Sequence, residues 1–265
     1  MNSVSISATP MTSSVSGMST RRVVGAYLAE VRSECLRYMR APGFMLPIIL
    51  FPTMFYLLFG VVMNGSAGAD TLRYLLVSYG VFGVMSPGLF GFGVSLALER
   101  DGGLLTYKRA LPMPPGAYLL GKMLMAMVAA AVVILVLLAI GLALGHVTLS
   151  APQVALMLLT GVLGVLPFCA LGMLVGTLIK GQGAPGMLNL VYLPMSFLSG
   201  LWVPIGLLPK PLRQIAPVWP PYHLHQLGLA VMGLEHGSVM VHLAVLLGFA
   251  AMFFAIAVRR LRRYG

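Results

Sequence analysis

The stretch GAYLLGKM, Gly116 to Met123, places two glycines and a lysine at the spacing of a phosphate-binding loop, G-x-x-x-x-G-K-[ST]. Met123 stands where that loop needs a hydroxyl to hold magnesium. A phosphate loop also needs a preceding strand and a helix N-terminus open to solvent. Here Pro112, Pro114 and Pro115 precede the glycine, and Lys122 leads into about twenty apolar residues. The sequence therefore predicts that Lys122 is a snorkelling anchor at a membrane face and that the chain holds no nucleotide.

Three other groupings could carry chemistry. His223, His225 and His236 lie close in sequence, but the segment is aromatic and proline-rich, and no metal ligand set is expected. Ser199 with His242 is a conceivable nucleophile and base, although Phe197-Leu198-Ser199-Gly200 lacks the first glycine of the rhomboid-type Gly-x-Ser-Gly. A serine in a helix more often bonds its own backbone. Cys35 and Cys169 suggest neither a disulfide nor a metal site.

These groups sit in a chain that is 59% hydrophobic and 9% charged, where soluble domains carry about a quarter charged residues. That composition predicts an all-α integral membrane protein. The net charge of +11 then marks cytoplasmic loops rather than nucleic-acid binding. Residues 1–20 are polar and uncharged, without the basic start and apolar stretch of a signal peptide, and are expected to be disordered.

Six apolar runs are long enough to span a bilayer: 43–63, 72–98, 118–145, 153–179, 184–203 and 239–258. With six spans, fourteen basic residues fall on one side and three, Arg73, Lys210 and Arg213, on the other. Both termini, including the basic tail 259–265, are therefore expected in the cytoplasm. No acidic or basic residue lies deep in any run, which argues against a proton- or sodium-driven relay. Gly141-x-x-x-Gly145 and Gly172-x-x-x-Gly176 predict close helix crossings within the chain.

Two elements lie outside the spans on the basic side. In residues 21–41, Val24, Tyr27, Leu28, Val31, Cys35, Tyr38 and Met39 form one apolar face. Arg22, Glu30, Ser33, Glu34, Arg37 and Arg40 cover the other. This reads as an amphipathic helix at the headgroup layer. The second is the loop 99–117. Asp101 there can cap a short helix from about Gly102 to Ala110, which the prolines then stop. Such a helix suits a partner's groove.

The motif E-R-D-G-G-L-L-x(5)-L-P-x(5)-Y-L-L-G-K, from Glu99 to Lys122, together with FLSGLWVPIGLLP, from Phe197 to Pro209, resembles the permease subunits of ABC-2 type exporters. The likeness covers nearly everything after residue 20. The family's usual Gly-Thr-Leu-Glu is Gly102-Gly103-Leu104-Leu105 here, so one carboxylate is missing. The resemblance implies that residues 21–40 form an interface helix, with Val24, Tyr27, Leu28, Val31 and Arg37 among its contacts. It implies a coupling helix on a separate ATPase, carried by Glu99, Arg100, Asp101, Gly102, Gly103, Leu104, Leu105, Leu111 and Pro112. Two permeases, identical or homologous, and two ATPases would make the transporter. ATP and magnesium would sit on the partner chain, in a bacterial inner membrane. Residues 204–219 would be an external re-entrant hairpin.

Tyr79, Ser86, Asn189, Tyr192, Ser196 and Ser199 are the candidate lining of the path. They suit an amphipathic substrate: a drug-like compound, a lipid or a lipid-linked glycan. A secondary transporter or channel, and an intramembrane serine protease using Ser199, are the competing readings.

Overall fold

A computed structural model describes residues 19–63, 68–110, 114, 116–145 and 147–264. Leu111 and Pro112 of the expected coupling motif, and nearly all of the expected N-terminal tail, lie outside those residues. The described chain is helical throughout, with no strand among the described residues.

Helix α1, Thr20–Met39, precedes the first span, which is α2, Pro42–Phe55, continued by a wider π-helical segment Tyr56–Val62. The second span joins α3, Ala69–Ser86, a π segment Pro87–Phe92 and α4, Gly93–Asp101. Both π segments begin at or just after a proline. Pro87 has no N–H to donate, and Pro52 disturbs the ladder one turn ahead of Tyr56. The second span is the centre of the bundle: from Leu76 to Phe92 every side chain except Phe90 is buried.

Gly102 ends α4 and Gly103 follows in the left-handed region, with φ at 74°. The short helix after it is α5, Leu104–Ala110. The third span is α6, Ala117–Ala143, and the fourth is α7, Ala151–Gly164, with α8, Leu166–Leu178. Next come α9, Ala184–Leu198, then the short helices α10, Lys210–Ile215, and α11, Pro220–Val231. The last helix, α12, runs Val239–Tyr264, so the basic tail expected after residue 258 continues it.

Among the described residues, five segments are long and apolar enough to cross a membrane: Met45–Val62, Ala69–Asp101, Ala117–Ala143, Ala151–Leu178 and Val239–Leu261. The fifth expected run, 184–203, contains a helix of only 15 residues. It stops where Gly200 takes a φ of 80°, a left-handed conformation that closes helices.

Small residues let the spans meet at backbone distance. A β-carbon on Gly172 would lie 2.5 Å from the Gly88 carbonyl oxygen, and one on Gly176 would lie 2.6 Å from that of Gly93. The second glycine pair therefore packs α8 onto the second span within the chain. Gly176→Val should cost about 3 kcal/mol, because the opposing atom is backbone and cannot rotate away. A melt of the detergent-solubilised protein checks this. Gly186→Ala is the control, since nothing lies within 4 Å of that position, and an equal loss in both variants would refute the account.

Candidate functional site

The two glycines and the lysine of the 116–122 stretch have a common use. Helix α1 crosses α6 there. A β-carbon on Gly116 would meet the Tyr27 hydroxyl at 3.2 Å, and one on Gly121 would meet Glu30 Cγ at 3.0 Å. The glycines are the seat on which α1 rests.

Lys122 lies beside that seat with no solvent exposure. Its ammonium is 3.2 Å from Glu34 Oε2 of α1, 2.8 Å from Glu99 Oε1 and 2.8 Å from Ser95 Oγ, both of α4. An ammonium has three donors, and each finds an acceptor. Tyr118 donates its hydroxyl to Glu99 Oε2 at 2.7 Å. Arg37 reaches Glu34 at 2.6 Å and Glu99 at 2.5 Å. Lys108 of α5 binds Glu30, lies 3.5 Å from Glu34 and sits 4.5 Å above the Tyr118 ring. Three carboxylates and three cations thus tie α1, α4, α5 and α6 together.

Burial works against the charge of Arg37, but Glu99 and then Glu34 outweigh it and hold the guanidinium above its ordinary pKa. Arg37 stays charged at any physiological pH.

Two expectations are corrected here. Lys122 does not snorkel: it is wholly enclosed, because α1 brings a carboxylate over it. Two residues expected on the polar face of α1, Glu30 and Glu34, also lie inward. Glu34 is buried and Glu30 half-buried against the bundle, whereas Val24, Leu28 and Met39 are exposed. Tyr27 and Val31 are half-buried, and Tyr38 is buried. The packed face is chosen by the lysines that wait beneath it.

Asp101 does not cap α5. Its Oδ2 accepts the Gly181 N–H at 2.7 Å, while Arg100 donates to the carbonyls of Gly176, Thr177 and Ile179 at 3.2, 2.8 and 2.7 Å. Those carbonyls end α8, where a cation is favoured. Residues 100–101 therefore fasten the base of α5 to the end of the fourth span. On α5 itself Leu105 is 7% exposed and packs in the core, Leu104 is half-buried, and Tyr107 is 62% exposed.

The candidate path residues divide. Ser86 donates to the Tyr192 hydroxyl at 2.9 Å, Tyr192 to the Phe82 carbonyl at 2.9 Å, and Ser196 to the Tyr192 carbonyl at 2.6 Å. All three are buried between α3 and α9. Tyr79 stacks on Phe55 and Phe59, in an aromatic seam that reaches Phe82 and Trp202. Asn189 is exposed on α9. Ser199 is buried, and its hydroxyl has no hydrogen-bond partner among the described residues.

Ser199 and His242 do not pair. The His242 ring is 2.9 Å from His223, whose other nitrogen donates to the Pro217 carbonyl at 2.8 Å. His225 turns inward to Ser78 at 2.9 Å, and burial lowers its pKa to about 3, so it stays neutral. The Ser78–His225 pair left no signal in the sequence, since only the packing of α11 on α3 brings it together. His236 is exposed, with its N–H on its neighbour Glu235. The three histidines thus diverge, and no cluster of metal-ligating residues occurs among the described residues.

Comparison with known proteins agrees with this architecture. Residues 26–233 match the family model of the ABC-2 type transporter. A Bacillus subtilis (strain 168) protein that carries the name transport permease YvfS is 29% identical over 193 residues, covering 72% of this chain and 79% of its own. With most of its length inside the family model, the clasp at its centre included, this multi-pass membrane protein belongs to the ABC-2 type transporters as a permease.

Proposed function

We propose that the chain is the permease of an ATP-driven exporter, working with a second copy and with two separate ATPase subunits. The observation that carries this reading is the charge clasp. It joins α5, the helix offered to a partner, to α1 and to the inner ends of the second and third spans through Lys108, Glu30, Glu34, Glu99 and Lys122. A push on α5 would reach both spans without passing through a flexible loop.

Both termini lie in the cytoplasm, on the inner face of a bacterial plasma membrane. The fifth span is α9 with the turn that carries Trp202, which brings the number of spans to six. Residues 204–219, with the short helix α10, form the external re-entrant cap. Asn189, Leu190 and Leu193 on the exposed side of α9 face the second copy, and the aromatic seam beside them suits an amphipathic cargo. ATP and magnesium are handled by the partner alone.

The buried charges do not favour a secondary transporter, because a relay needs a site with an unfilled position, and Lys122 has none. The test is ATP turnover. The isolated chain should neither bind nor hydrolyse ATP, whereas the complex pulled from native membranes through a tag on this chain should hydrolyse it. Nucleotide binding by the isolated chain, or a pull-down without any ATPase subunit, would overturn the reading.

A further inference from the structure

Turning both acids of α1 inward leaves arginines as the only charged residues on its outer surface. Arg21, Arg22, Arg32, Arg37 and Arg40 are exposed, while Glu34 is 3% exposed and Glu30 is held by Lys108. Beneath α1, between it and the second and third spans, runs a crevice of about 320 Å³. That is the lower end of the roughly 300–1,000 Å³ range of ligand pockets. Tyr38, Val94, Leu98 and Met125 wall it, and Arg37 stands at the charged end. From Glu99 the crevice reaches Gly91, eight residues or about 12 Å down the second span.

We propose that this crevice holds one hydrocarbon chain of an anionic glycerophospholipid, with the lipid phosphate on Arg37. Apolar walls that lead from a charge layer into a membrane span suit a chain attached to a headgroup, not a free anion. Arg37 gives an N–H from each terminal nitrogen to Glu34 and to Glu99, and its side chain is 45% exposed. A guanidinium has five N–H groups in a planar fork, which leaves donors for phosphate oxygens. The other arginines of α1 favour a negative headgroup over a zwitterionic one. So placed, the lipid would sit as a wedge between α1 and the spans it clasps. The inference rests on the reading of α1 as a helix at the inner headgroup layer.

The test uses the full chain in micelles with equal amounts of dioleoylphosphatidylglycerol and dioleoylphosphatidylcholine, with retained lipid read by native mass spectrometry. One phosphatidylglycerol should be retained, at a preference of about fivefold or more, since a single arginine at an anionic surface supplies about fivefold. Arg37→Gln should lower that preference about fivefold, to the part that the other arginines of α1 supply. Because Arg37 also belongs to the clasp, Gly91→Leu provides a second arm. A β-carbon there meets only Met125 at 3.5 Å and Tyr38 at 3.7 Å, so the leucine grows into the crevice and should reduce retention of both lipids. Equal retention of the two lipids by the unchanged chain, or unaltered retention in Gly91→Leu, would leave only annular lipid and overturn the proposal. So would displacement by millimolar glycerol 3-phosphate as effective as by phosphatidylglycerol, which would mark a plain anion site. ATPase pull-down on the same preparations separates the two readings: lipid selectivity lost with the ATPase retained sinks this proposal alone.

Discussion

Lys122→Met is expected to destabilise the folded chain by about 3 kcal/mol, the lower end of the cost of removing one partner from a buried ion pair. The side chain is fully enclosed, and its removal leaves Glu34 and Glu99, at 3% and 7% exposure, with one cation fewer between them. Arg37 still reaches both carboxylates, which is why the lower end applies. For a chain of this size the melting midpoint should fall by roughly 6–12 °C. The double variant Lys122→Met with Glu99→Gln should recover at least half of the loss, because Glu34 and Arg37 then balance one another. A packing defect would not be relieved by removing a carboxylate. Full stability of Lys122→Met, or no recovery in the double variant, would show that the clasp does not hold the fold.

The spans were legible because a lipid-facing helix needs a long apolar run, and five of the expected six appear within a few residues of their predicted bounds. The exception has a local cause. Residues 184–203 are apolar enough, but apolarity does not report that Gly200 turns left-handed and closes the helix at Leu198. The face of α1 was misread for a more general reason. Amphipathic analysis assumes that apolar residues go inward and charges go to water. Here carboxylates go inward because cations await them. Those cations, Lys108 and Lys122, are 74 and 88 positions away from Glu34, beyond any window of periodicity. The Gly116, Gly121, Lys122 spacing was visible throughout. What it lacked was the knowledge of which helix would be laid across it.

Tyr107→Ala is expected to release the ATPase while leaving the permease folded. Among the described side chains of α5, Tyr107 is the exposed large apolar one: Leu105 is committed to the core and Leu104 half-committed, whereas Tyr107 is 62% exposed on a helix fastened at its base by Arg100 and Asp101 and held by Lys108. A tyrosine held on a rigid element is a common hot spot, and truncating one costs about 2 kcal/mol, or roughly 30-fold in affinity. Co-purification of the ATPase from native membranes should fall by that order, with the melting midpoint unchanged. Leu105→Asp should behave in the opposite order, since it places a charge in the permease's own core and lowers the melting midpoint before any partner is involved. The pair of variants thus separates the two sides of one short helix. If Tyr107→Ala retains the ATPase fully, α5 is not the docking element and the clasp beneath it serves stability alone.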